Sequence, residues 1–133
     1  MTKKAMQPSR HIIPISGKDS LATAIVQMGL YPDLPYEYVF NMTGAELPET
    51  IAWLDKVERV LGISIHRIGA DLEGIIAGFG YFLPSAMSRY CTRLAKIEPF
   101  ECWIGESPAT VYFGIRADED RGGYAVSLYT LLF

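Results

Sequence analysis

Apolar residues come in short blocks between polar turns, and their spacing changes along the chain. His11-Ile12-Ile13-Pro14-Ile15 reads as a buried strand, and Tyr36-Glu37-Tyr38-Val39-Phe40 as an aromatic, β-branched second one. Between them Leu21, Ala24, Ile25 and Met28 keep helical spacing, which predicts a helix beginning at Leu21 and stopped by Gly29 and Pro32. Residues 48–61 predict a second helix. Pro48 stands early, an acid follows in the first turn, Ile51, Leu54, Val57 and Leu61 share a face, and Gly62 lies just past the end. Residues 63–68 alternate apolar and polar and suit a strand toward one edge of a sheet. Beyond them the pattern loosens. Glycine-rich residues 71–80 suit a short helix and a mobile loop, with Phe79, Tyr81 and Phe82 expected to pack rather than cap a pocket. Residues 85–104 read as one helix broken at Pro99, and residues 110–115 as a fourth strand. The apolar tail, residues 124–133, suits a final strand or a short helix, and residues 1–10 a flexible polar arm.

Strand, helix, strand, helix, strand in succession predicts an α/β fold: a parallel sheet flanked by helices, with right-handed crossovers. Ligands in such sheets sit beyond the carboxyl ends of the strands, and two polar turns fall there. In the first, Ser16-Gly17-Lys18-Asp19-Ser20, backbone N–H groups at a helix start would face outward beside a lysine and two hydroxyls, which suits a phosphate. The alternative is a plain helix cap with Asp19 or Ser20 as N-cap. The second is the segment from Asn41 to Thr50. Further on, Arg89, Arg93 and Lys96 are spaced four and three apart, which would place them on one helix face as an anion clamp or as a solvated surface.

Composition narrows the classes. The chain has 133 residues, 50% hydrophobic and 20% charged, the balance of one globular domain. A net charge of −3 excludes a general attraction to nucleic acid or to an anionic membrane. Two cysteines, Cys91 and Cys102, are too few for a disulfide scaffold, a four-cysteine zinc site or an iron–sulfur cluster, and both are expected to pack, Cys102 in the core. Trp53 and Trp103 are expected to pack as well, and His66 to lie at a surface or edge. No apolar run approaches membrane-spanning length, so a soluble cytoplasmic protein is expected.

Taken in order, four segments resemble the phosphoadenosine-phosphosulfate (PAPS) reductases and the related N-type ATP pyrophosphatases. Residues 16–20 resemble the PP-loop S-G-G-x-D-S, and Thr43-Gly44-Ala45-Glu46-Leu47-Pro48-Glu49-Thr50 resembles T-G-x-x-x-P-E-T. Residues 89–100 resemble R-x-C-T-x-x-x-K-x-x-P, and Gly114-Ile115-Arg116-Ala117-Asp118-Glu119 with Arg121 resembles G-x-R-x-x-E and its trailing arginine. The resemblance implies the adenine-nucleotide alpha-hydrolase-like, Rossmann-like three-layer fold, with a single PP-loop domain over residues 11–133. It implies ATP or a PAPS-like nucleotide as ligand, held by Ser16, Gly17, Lys18, Asp19, Ser20, Thr43, Gly44 and Glu49. Arg89, Arg93, Lys96, Arg116 and Arg121 would gather the anionic substrate, and Lys18, Asp19 and Arg116 would serve catalysis. Mg2+ is compatible with such chemistry, although no residue is assigned as a metal ligand.

The departures matter equally. The loop has a single glycine before Lys18, and Met42 stands where many relatives carry an aspartate. No E-C-G-x-H segment is present, so thiol-dependent reduction of a phosphosulfate is not expected, and the domain is expected to be truncated at its C-terminus. Two functions follow as expectations. One is an enzyme that activates a substrate by adenylation with pyrophosphate release. The other is a catalytically inactive nucleotide- or protein-binding module, an inhibitor or interaction protein, with a homodimer or a protein partner expected through the apolar tail.

Overall fold

The computed structural model describes residues 10–115 and 129–132. Five strands, β1 (Arg10–Pro14), β2 (Tyr36–Met42), β3 (Ile65–Gly69), β4 (Ala109–Ile115) and β5 (Tyr129–Leu132), lie in the order β3-β2-β1-β4-β5. β1 runs parallel to β2 and to β4, and β4 parallel to β5. The parallel α/β sheet expected from the alternation is present, with β3 at an edge. The tail forms a strand over Tyr129–Leu132. By contacts the chain divides into two compact units, Met1–Val39 with Glu106–Phe133, and Phe40–Gly105.

In the first unit Ile12, Ile13, Ile15 and Val39 are almost wholly buried. Helix α1 (Lys18–Leu30) packs on β1 and β4. Its buried face is Ser20, Thr23, Ala24 and Gln27; of the apolar residues at helical spacing, Leu21, Ala24, Ile25 and Met28, only Ala24 is buried, and Ile25 is half exposed. Gly114 on β4 explains the rotation. A Cβ there would stand 2.5 Å from the Asp19 carbonyl oxygen and 2.6 Å from Thr23 Oγ1, so the helix backbone is pressed directly against the strand. Only small or self-satisfied side chains fit such a seat, and the Thr23 hydroxyl donates within its own helix to the Asp19 carbonyl at 3.0 Å. At the other end of α1 the Tyr36 hydroxyl lies 3.2 Å and 3.0 Å from the carbonyls of Gln27 and Tyr31, each of which also accepts a backbone N–H. His11 Nδ1 lies 2.7 Å from the Tyr112 hydroxyl, and the rings of His11, Tyr36 and Tyr112 pack together. Burial, and then the neighbouring Tyr112, push the Tyr36 phenol up. Arg10 grips Glu37 through Nε and a terminal nitrogen, at 2.7 Å and 2.9 Å, across β1 and β2.

In the second unit α2 (Pro48–Leu61) buries Leu54 and Val57 and ends at Gly62, whose φ of 64° is the left-handed region that favours glycine. The Ile63 N–H still bonds the Glu58 carbonyl, which is why β3 starts at Ile65 rather than Ile63. Arg67 on β3 reaches Asp55 at 2.5 Å and Glu58 at 2.8 Å, and Glu58 also accepts from the Ile65 N–H at 3.2 Å, tying strand to helix.

Helix α3 (Leu72–Gly78) comes next, as the glycine-rich stretch suggested. Then α4 (Tyr90–Thr92), a π-helical turn (Arg93–Ile97) and α5 (Glu98–Ile104) follow one another. The expected break at Pro99 does not occur. In an α-helix its ring would meet the Ala95 carbonyl, and its missing N–H would leave that carbonyl unpaired. The wider π turn, with the Glu98 N–H bonded to the Arg93 carbonyl, carries the chain through.

Phe79 stacks on the buried Tyr90 at 4.2 Å, and the Tyr90 hydroxyl donates to the Phe82 carbonyl. The expected packing holds for Phe79 alone. Tyr81 is 72% exposed in a left-handed conformation (φ 61°), and Phe82 is 63% exposed. Cys102 is exposed rather than core, because α5 turns the neighbouring Trp103 toward His66, at 5.4 Å between ring centres. His66 is exposed, as expected of an edge strand.

Candidate functional site

The turn after β1 belongs to the first unit. Helix α1 starts at Lys18, three residues earlier than the apolar spacing indicated, and Gly17 is its N-cap. The N–H groups of Lys18, Asp19 and Ser20 therefore form the first turn, which has no intrahelical acceptors. Ser20 is not an open ligand group. Its Oγ accepts from the N–H of Ser16 at 2.8 Å and of Gly17 at 3.0 Å, and donates to the Gly17 carbonyl at 2.9 Å. This is the back-reaching half of a capping box. Of the backbone N–H groups expected to face outward from this turn, those of Ser16 and Gly17 are closed internally.

Lys18 is 84% exposed, with its ammonium 3.8 Å from the Asp19 carboxylate. Gly17 has an extended backbone (φ −168°) open to any residue, and a Cβ placed there meets nothing within 4 Å. Nothing in the fold demands glycine at this position.

The turn after β2 belongs to the second unit. Its backbone is fastened at two points: the Met42 carbonyl accepts from the Ala70 N–H and the Thr43 carbonyl from the Leu72 N–H, each at 2.9 Å. The Glu46 carboxylate folds back onto Thr43 and Gly44. One oxygen accepts from the Thr43 N–H and from the Thr43 hydroxyl at 2.8 Å, the other from the Gly44 N–H at 3.1 Å. Partial burial disfavours its charge, but the hydrogen bonds from Thr43 and Gly44 outweigh that and hold the carboxyl below its ordinary range. Glu49 is exposed. Asn41 Oδ1, at the same strand end, is buried without a hydrogen-bond partner among the described residues. Sequence reasoning passed over Glu46; the signal available was an acid two residues beyond a turn glycine.

The third group, also in the second unit, departs from expectation. Arg89 is the N-cap before α4, while Arg93 and Lys96 lie in the π turn, so the single α-helical face drawn for Arg89, Arg93 and Lys96 does not form. Arg93 lies 3.7 Å from Glu98, both well exposed. Arg116 and Arg121 lie outside the described residues. Among the described residues no group of three His, Cys, Asp or Glu side chains is arranged to hold a metal ion, and no helix is long and apolar enough to cross a membrane.

A parallel sheet ordered β3-β2-β1-β4-β5, with donor-rich turns after β1 and β2, defines a Rossmann-like α/β domain. Residues 10–130 match the model of the phosphoadenosine phosphosulfate reductase domain, and the chain belongs to that family. An uncharacterized protein of Methanocaldococcus jannaschii is 36% identical over 93 residues, covering 68% of this chain and 18% of that protein. Among solved structures, the phosphoadenylyl-sulfate (PAPS) reductase from Candida auris, in a phosphate complex, superposes with a TM-score of 0.65 at 16% identity. That match covers 96% of this chain and 66% of the reductase, and it carries the fold alone.

Proposed function

We propose that the domain binds an adenine nucleotide, either ATP or an adenylyl or phosphosulfate compound, with its phosphates at the turn after β1. The observation that carries this reading is Gly17. The fold tolerates any residue at that position, yet the chain keeps it bare beside the open first-turn amides of α1 and next to Lys18. A bare backbone there leaves room for a ligand oxyanion. The phosphate bound to the Candida auris reductase, a protein of the same fold, is in keeping with that chemistry.

On this reading Lys18, Asp19 and Ser16 border the phosphates, while Ser20 shapes the loop from within. For Thr43, Gly44 and Glu49, and for the cations Arg89, Arg93, Lys96, Arg116 and Arg121, a part in nucleotide binding is what the family resemblance implies. Adenylation with pyrophosphate release is the reaction such a site suits, because transfer at phosphorus needs dispersed charge neutralisation more than a nucleophilic side chain. A binding module without turnover is the second reading. It is favoured by apolar Met42 and by the engagement of the Thr43 and Gly44 donors with Glu46.

Calorimetry with ATP, PAPS and adenosine phosphosulfate, with and without Mg2+, tests binding. At least one nucleotide should bind, and Lys18→Ala should weaken it; no heat with any of them would end the reading. Pyrophosphate release from ATP separates turnover from binding alone.

A further inference from the structure

Glu46 makes an arrangement that neither its helix nor its turn requires. An acid just ahead of a helix ordinarily serves the exposed N–H groups of that helix. Glu46 lies two residues before α2 and instead turns back, while Leu47, the N-cap, supplies no side-chain cap. The turn is already fastened through backbone bonds from Ala70 and Leu72, so Glu46 is not its sole anchor. What the carboxylate does occupy is a set of three converging donors: the Thr43 N–H, the Thr43 hydroxyl and the Gly44 N–H. Donors that share a planar oxyanion in this way are suited to phosphoryl, sulfuryl or carboxylate groups.

The geometry points to Glu46 as a built-in occupant of an oxyanion cradle, displaced when a ligand's phosphoryl or sulfuryl oxygens take its place. The exchange stands on the donor geometry; only the natural ligand's identity rests on the nucleotide reading above. Glu46 then lowers ligand affinity by competition and screens out groups unable to accept from all three donors. A neutral hydroxyl cannot displace it, whereas a tetrahedral oxyanion can.

The test follows the backbone amide signals of Thr43 and Gly44 by NMR in the full chain, titrated with inorganic phosphate and separately with ATP. In Glu46→Ala, phosphate should shift both signals saturably, with an affinity about tenfold or more above that of the parent chain, the scale of releasing charge-assisted hydrogen bonds. Unmoved Thr43 and Gly44 signals in a folded Glu46→Ala chain, or equal affinities in both proteins, would overturn the inference. Should Glu46→Ala fail to fold, Glu46→Gln decides the question. Its amide can still accept from Thr43 but cannot accept from Gly44 at the second position, so phosphate should move the Gly44 signal further than in the parent chain, and an unchanged Gly44 response overturns the inference. If ATP moves the Lys18 and Asp19 amides in neither protein, the nucleotide reading fails, while the phosphate titration still decides the role of Glu46.

Discussion

Two strand-end turns, one in each unit, solve the same problem in opposite ways. Both gather backbone N–H groups beyond a strand, and in both a side chain two to four residues further on reaches back to accept from them. After β1 that side chain is the neutral hydroxyl of Ser20, which closes two amides without placing a charge on them. After β2 it is the carboxylate of Glu46, which fills the donors with a charge of the ligand's own sign. On the proposed reading the first turn receives an anion, whereas the second already holds the Glu46 carboxylate. A neutral closure builds a loop, whereas a charged closure competes for it.

The largest effect is expected where the first turn is seated. Gly114→Val places a side chain into the Asp19 backbone, which cannot yield as a flexible side chain would. Overpacking of this kind costs about 1–3 kcal/mol or more, read as a fall in the urea midpoint, and should abolish any binding at the loop. Native stability in that variant would mean α1 is not held against β4 as described.

Ser20→Ala is expected to cost about 1 kcal/mol, as for loss of a helix-end cap, and to weaken anion binding because the loop loses its closure. The contrast with the second turn sharpens here, since Glu46→Ala should also cost stability but raise affinity. Parallel losses of affinity in both variants would erase the difference between the turns.

The next effect is local and pH-dependent. The Glu46 carboxyl titrates below its ordinary value of 4.5. Its contribution to stability is fully present above that value and lost as pH falls through the lowered one. The Thr43 and Gly44 amide shifts should therefore titrate together below about pH 4.5. A transition above that value would place the carboxylate elsewhere.

Smallest in stability is Lys18→Ala. An ammonium this exposed should leave the unfolding midpoint within about 0.5 kcal/mol of the parent, while nucleotide affinity falls.

Much of the fold was legible because period and punctuation agreed. Alternating strands, the α2 stripe through Leu54 and Val57, and the glycine stop at Gly62 each state their structure locally. What escaped depended on tertiary context. The rotation of α1 onto Ser20 and Thr23 follows from a glycine on β4 more than eighty residues away, which no helical pattern encodes. The π turn at residues 93–97 is a response to Pro99, and an α-helical wheel drawn through Arg89, Arg93 and Lys96 presupposes the geometry that Pro99 prevents. At the site, the motif residues of the loop were visible as residue types, but their division of labour was not. Ser20 and Glu46 differ by which donors they satisfy, and that is fixed only once the turns are folded.

The most direct measurement is nucleotide binding by Gly17→Ala. An extended backbone and empty surroundings mean that the methyl group should cost at most about 1 kcal/mol of stability, through the weaker N-cap preference of alanine. Calorimetry of the folded variant with ATP and PAPS should give an affinity lower by about tenfold or more, because on the proposed reading the methyl would stand where the oxyanion approaches. A folded Gly17→Ala chain that binds either nucleotide as tightly as the parent would show that the turn after β1 is not where the ligand sits.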